Sequence, residues 1–141
     1  MDKFEVSKDM LVGSGIVKGE DIIEVQEADS HVLRRVHDED YLSKIYYGQL
    51  DRKEQIVVGL PVTPKLYHRS ATEVEATRQA CHAALQDGVA AVLAGGTHHS
   101  FQNRGEGYCV FNDVAIAIRD LQVYRPGIKG MVVDTDAHQG N

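Results

Sequence analysis

Two short stretches hold most of the side chains that could do chemistry. One lies in the closing run VVDTDAHQGN, where Asp134, Asp136 and His138 occupy alternate positions. In an extended chain, alternate side chains point to one side, so two carboxylates and an imidazole would converge. Carboxylate oxygen and imidazole nitrogen together suit a divalent cation such as zinc. Any one of these residues alone reads more simply as a cap or a loop histidine. All three at this spacing, after an apolar run, favour a metal site. The second stretch is GGTHHS, with His98 and His99 adjacent after Gly95 and Gly96. Neighbours on an extended segment diverge, so both imidazoles reach one site only if the backbone bends, which the glycines permit. Histidine is fitted to acid–base work because small environmental changes move its pKa across neutrality.

The elements that must position these groups alternate along the chain. Residues 2–13 suggest a short helix, with Phe4, Lys8, Leu11 and Val12 on one face and glycines 13 and 15 ending it. DIIEV is a candidate short strand. Asp29 or Ser30 can cap HVLRRV, and Asp38 can cap EDYLSKIYYG. Residues 51–62 read as loop. Thr63 followed by Pro64 starts the clearest helix, which carries Val74, Thr77, Cys81 and Leu85 and stops at Gly88. VAAVLAGG reads as a buried strand and residues 95–109 as a glycine-rich loop. Asn112 is the expected N-cap of a helix with Val114, Ala117, Ile118 and Leu121 on one face, and Asp113 sits favourably in its first turn. GMVVD reads as a second strand, apolar on both faces. Helix, strand, loop, helix, strand is the pattern of a parallel α/β sheet, in which ligands bind beyond the carboxyl ends of strands. Both chemical stretches fall at such ends.

Composition narrows the classes. At 141 residues one core and one domain are expected. Fifteen basic against 21 acidic residues give a net charge of −6, so nonspecific nucleic-acid binding has no support. No apolar run approaches the ~20 residues of a membrane span, and the N-terminus has no apolar signal core. Only Cys81 and Cys109 occur, which implies no disulfide framework and suggests a reducing, cytoplasmic setting. The remaining histidines, His31, His37, His68 and His82, fall on helices or their ends and read as solvated or satisfied.

Taken in order, GGTHHS, RGEGYCVFNDVAIAI and VVDTDAHQGN resemble the zinc-dependent histone deacetylase superfamily, with DAHQGN most like the class IV branch and its bacterial acetoin-utilisation relatives. RRVHDEDYL and GLPVTPKLYHRS resemble that branch too, so the resemblance covers nearly the whole chain. It implies a three-layer α/β/α arginase–deacetylase fold around a parallel sheet, incomplete here. By position, Asp136 and His138 resemble two of three zinc ligands, and iron(II) would suit the same set. His98 and His99 resemble the catalytic acid–base pair. Asp134 resembles the residue that orients His98 and helps hold a structural potassium or sodium ion. Asn141 falls behind His99. Gly107 and Tyr108 resemble the wall of a tunnel for acetyl-lysine or a similar acylated amine.

The resemblance also implies that residues 1–141 are a partial deacetylase domain, lacking the C-terminal half and the first strand. The third metal ligand and an oxyanion-binding tyrosine would lie outside this chain. The expectation is therefore a polypeptide that is inactive alone, binds zinc weakly, and could self-associate through an exposed sheet edge. Two alternatives remain beside zinc-dependent hydrolysis of an acyl amide. One is an arginase-type ureohydrolase with two manganese ions, disfavoured because Thr97 and Gly140 stand where that class needs carboxylates. The other is a non-catalytic truncated fragment.

Overall fold

The computed structural model describes residues 3–141. Six α-helices carry the fold: α1 (Lys3–Gly13), α2 (Ser30–Leu33), α3 (Glu39–Tyr46), α4 (Arg52–Val58), α5 (Pro64–Asp87) and α6 (Asp113–Tyr124). The expected first helix thus forms, apart from its opening residue 2, which lies outside the described residues. It buries no side chain, so its apolar face packs on little.

Local chemistry explains most boundaries. Asp29 accepts a hydrogen bond from the His31 amide at the start of α2. Thr63 accepts from the Leu66 amide at the start of α5, with Pro64 at the first helical position. Asn112 accepts from the Ala115 amide at the start of α6. Gly88 ends α5 in the left-handed conformation at φ 89°, where a Cβ would be strained. Residues 51–62 are not all loop, as expected, because α4 occupies their middle. Its signal is a capping box: the Asp51 carboxylate accepts from the amides of Lys53 and Glu54, and the Glu54 carboxylate accepts from the Asp51 amide.

The core lies among α2, α3, α5 and α6. Leu33, Ile45, Val58, Val74, Phe111 and Ile116 are almost fully buried. Phe111 meets Tyr67 and Tyr41 edge-on, with ring centroids 5.6 and 6.4 Å apart, a favoured aromatic geometry. His37 is buried beside them and satisfied at both nitrogens: the Asn112 amide donates to Nε2 at 3.0 Å, and Nδ1 faces the Gln102 carbonyl at 3.3 Å. Only the neutral Nδ1–H tautomer fits both partners, and burial pushes its pKa below the ordinary value. On the far side of α6, the buried Asp120 carboxylate receives His82 at 2.8 Å and Arg78 at 3.4 Å. Arg35 Nε also approaches Asp120 to 2.9 Å, but off the angle of a hydrogen bond. Burial alone would raise the Asp120 pKa, yet His82, Arg35 and Arg78 together hold it below its usual value.

The expected α/β sheet is not present. Among the described residues there are helices and no strands, and the one β-type pairing is an isolated bridge between Glu106 and Cys109. DIIEV, VAAVLAGG and GMVVD are not strands. Val89, Met131 and Val133 are 80, 87 and 74% exposed. The reason is physical: apolarity on both faces shows that a segment prefers burial, but a strand exists only where neighbours pair its N–H and C=O groups. Without a sheet there is no sheet edge, and self-association through one has no basis. The expected face of α6 shifts as well. Asp113, Ile116, Ala117 and Asp120 are buried, while Val114, Ala115 and Ile118 line an open groove of about 460 Å³ with Val132 and Val133. No helix among the described residues is long and apolar enough to cross a membrane.

Replacing the fully buried Leu33 by alanine should cost about 2–5 kcal/mol in urea denaturation, whereas the exposed Val123→Ala should cost almost nothing. Because the His37 pKa is lowered by folding, the unfolded chain binds more protons below about pH 6.5. Stability should therefore fall as pH drops from 6.5 towards the lower pKa of the folded state, and His37→Asn should flatten that fall.

Candidate functional site

The bend that aims His98 and His99 is built from glycine. Gly95 and Gly96 have φ of 105° and 72°, and the His98 amide reaches back to the Gly96 carbonyl at 3.0 Å. At Gly95 an added Cβ would stand 2.5 Å from a carboxylate oxygen of Asp113, so that position is closed to any side chain. The two imidazoles consequently lie on the same side, with ring centroids 4.2 Å apart.

The closing stretch takes a different local shape from the extended one its spacing suggested. Asp134 Oδ1 accepts from the Asp136 amide at 2.9 Å, and Asp136 Oδ1 accepts from the His138 amide at 2.7 Å. These are two successive Asx turns, the i to i+2 bond that aspartate favours outside regular structure. The turns bring Asp136 and His138 together and leave Asp134 facing His98.

Long-range contacts then join the two stretches. His98 Nδ1 lies 2.5 Å from Asp134 Oδ2. The His99 and His138 ring centroids are 6.1 Å apart. The Asn141 amide donates to the His98 carbonyl at 3.0 Å, and its side-chain Nδ2 donates to the His99 carbonyl at 2.8 Å. Asn141 thus grips the backbone of His99, not its ring. The bond from His98, then that from the Asp136 amide, hold the Asp134 carboxyl below its usual pKa. The Asp136 carboxyl is held down in the same way by the backbone and then the ring of His138.

Asp136 Oδ1 and His138 Nδ1 lie 2.9 Å apart. Carboxylate oxygen and imidazole nitrogen are donor types that suit a divalent cation, but at this spacing the two groups engage each other. The pair offers two donors, whereas a catalytic zinc usually takes three from protein. Among the described residues no group of three or more His, Cys, Asp or Glu side chains is arranged to hold a metal. Asp134 has both oxygens engaged already, one with His98 and one with the Asp136 amide.

A glycine-rich loop walls the site. Gly107 has φ 54°, and a Cβ there would come within 2.8 Å of the His99 ring. Its amide donates to the Val57 carbonyl and that of Tyr108 to the Val58 carbonyl, so this loop caps the end of α4. Tyr108 is the one non-glycine residue with positive φ, at 66°, among the described residues. Its ring lies over Gly59, where a Cβ would stand 2.9 Å away, and it is 71% exposed. It is held in a costly backbone state, with its ring against Gly59 and otherwise open to solvent. Cys109 is buried, which pushes its thiol pKa up and suits packing, not nucleophilic attack.

Several contributors escaped sequence reasoning. Asp113, read there as a helix-dipole residue, turns its buried carboxylate to residues 96 and 97 instead. The Thr97 hydroxyl, with one proton to donate, lies within reach of both that carboxylate and the Phe111 carbonyl. Ser100 and Tyr41 both donate to the Val110 carbonyl, at 2.7 and 2.8 Å, which ties the histidine segment to the core. None has a sequence signal beyond its nearness to a motif.

The His98–His99 pair thus lies beside an Asp136–His138 pair, next to the glycine loop that carries Gly107. The chain matches the family model of the histone deacetylase domain over residues 1–141, and it belongs to that family. It is 36% identical over 141 residues to an uncharacterised protein of Picosynechococcus, covering all of this chain and 47% of that protein. It is 31% identical to the acetoin utilization protein AcuC of Bacillus subtilis, covering 86% of this chain and 34% of that one. It is 30% identical to histone deacetylase 2 of Arabidopsis thaliana, covering 93% and 35%. The chain thus spans less than half the length of these relatives. Among solved structures it is similar to an HDAC homologue from Aquifex aeolicus, with a TM-score of 0.68 at 22% identity over 82% of this chain and 33% of that one. An HDAC homologue complexed with SAHA aligns equally well. This is a likeness of chain path.

Gly107→Ala should push the His99 ring aside and add about 1–2 kcal/mol of left-handed backbone strain. NMR should show the His99 ring resonances displaced while those of Tyr67 and Phe111 stay in place.

Proposed function

We propose that this chain supplies the acid–base and partial metal-binding portion of a zinc-dependent deacetylase that hydrolyses an acylated amine such as acetyl-lysine. The observation that carries the reading is the union of the two stretches: His98 on Asp134, and His99 beside His138. Asp136 and His138 would hold the zinc, with iron(II) a chemically acceptable substitute. Zinc, when bound, polarises the amide carbonyl and acidifies water.

The chain's own groups do the rest. His99, closer to the cation pair, serves as base toward the attacking water. His98, paired with Asp134, delivers a proton to the leaving amine. The carboxylate fixes that ring's orientation. Asn141 carries no charge and orients His99 only through its backbone. Tyr108 and Gly107 flank the acyl chain, the glycine leaving room for the His99 ring. The net charge of −6 favours a cationic substrate, and the free thiols of Cys81 and Cys109 suit a cytoplasmic setting. The dimanganese alternative has less to stand on, since Thr97 and Gly140 offer no carboxylate.

With two donors, the 141-residue polypeptide should bind zinc weakly and turn over an acetyl-lysine peptide at a negligible rate. Calorimetric zinc titration should lose its signal in His138→Ala and in Asp136→Asn; binding unchanged in both variants would remove these ligands from the reading. Robust turnover by this polypeptide alone would contradict the two-donor account. In a polypeptide of the relatives' length that contains this chain, His98→Ala and His99→Ala should each lower kcat by about 100-fold or more. Near-full rates in both would end the acid–base assignment.

A further inference from the structure

The carboxylate of Asp113 is completely buried at the first position of α6. A buried carboxylate persists only where donors satisfy it. Here the donors come from elsewhere in the chain. The Gly96 amide donates to Oδ2 at 2.9 Å and the Thr97 amide to Oδ1 at 2.8 Å. The Thr97 hydroxyl lies 2.7 Å from Oδ1, and the Thr77 hydroxyl of α5 lies 2.5 Å from Oδ2. A carboxylate serving only the helix dipole would face the free amides of its own helix. Asn112 already caps α6, and Asp113 faces the other way.

We propose that Asp113 is a positioning residue for His98 and His99. Its carboxylate clamps the two amides that precede the histidine pair and so fixes the bend that sets both rings on one side. The inference rests on the reading of His98 and His99 as the acid–base pair. Three observations converge on it. The clamp grips residues 96 and 97, one peptide ahead of the first imidazole. Gly95 is held against the same carboxylate, where a Cβ would meet Oδ2 at 2.5 Å and the Thr77 oxygen at 2.8 Å. The Thr97 hydroxyl also lies 2.5 Å from the Phe111 carbonyl, joining the clamp to the core. One buried anion therefore fastens the histidine segment to α5 and α6 at once. Charge-assisted bonds to backbone amides are about twice as strong as neutral ones, which suits a role in holding geometry.

The test is NMR on the 141-residue chain, labelled with nitrogen-15 and carbon-13, without metal or substrate. The unmodified chain should show nuclear Overhauser contacts between the His98 and His99 rings and between the His99 ring and Gly107. In Asp113→Ala both contacts should disappear, and exchange of the Gly96 and Thr97 amides should rise about tenfold or more. Contacts between Phe111 and Tyr67 should persist, which separates lost aim from lost fold. Ring contacts unchanged in a folded Asp113→Ala chain would overturn the proposal. Should that variant fail to fold, Asp113→Asn keeps the side-chain volume but puts an amide nitrogen where one clamp oxygen stood, so one of the two amide bonds is lost. It should weaken the ring contacts and raise exchange of the amide that loses its acceptor; no change there would equally overturn the proposal. Because neither metal nor turnover is read, the outcome stands apart from the fate of the deacetylase reading.

Discussion

A carboxyl group with no access to water constrains everything around it. Asp113 begins α6 inside the protein, and its oxygens must find donors within reach. They find them in a loop that glycine alone can bend tightly enough, and in a threonine one helix away. Much of the local architecture follows. The Gly95–Thr97 backbone is drawn onto α6, α5 is pinned through Thr77, and the histidine pair emerges with its direction set. A second buried carboxylate, Asp120, gathers Arg35, Arg78 and His82 two turns along the same helix. α6 thus carries an anion at each end of its buried stripe, with Ile116 and Ala117 between. Breaking such a contact by removing one partner costs more than the contact contributes, because the other is left buried and unmatched.

The site is assembled in the opposite electrostatic manner. Its carboxylates, Asp134 and Asp136, are accessible and engaged with backbone amides and imidazoles in short-range turns. Those turns need little tertiary support. What needs support is the meeting of the Asp134 turn with His98, and of Asn141 with the two histidine carbonyls. Ties of this kind, one of them backbone to backbone, hold the two segments together without a sheet. On the other wall, α4 offers its last carbonyls to the Gly107 and Tyr108 amides, so a helix end and a loop satisfy each other. The histidine pair therefore has a support on each side: buried anion below, capped helix beside.

How much of this was legible in residues alone differs by feature. Asp29, Thr63, Asn112 and Gly88 were readable as caps because capping is a bond across two to four residues. α4 was equally readable, since Asp51 and Glu54 form a capping box, but the loop reading of residues 51–62 passed over it. The strands were misread: DIIEV, VAAVLAGG and GMVVD are apolar enough but have no partners. The face of α6 was misread because a carboxylate at 113 or 120 counts as exposed in any apolar-periodicity argument. Alternation suggested that Asp134, Asp136 and His138 share one side; instead a pair of Asx turns leaves Asp136 with His138 and turns Asp134 to His98.

What the sequence by itself determined are the features written within a few residues: caps, glycine bends, the Asx turns, and the motifs by which the chain belongs to the histone deacetylase domain family. Tertiary structure alone decided which carboxylates are buried, whether apolar segments pair, and that His98 meets Asp134 across 36 residues. The physical reason is range. A short-range hydrogen bond is specified by residue type and spacing, whereas burial and long-range pairing depend on what the rest of the chain brings alongside.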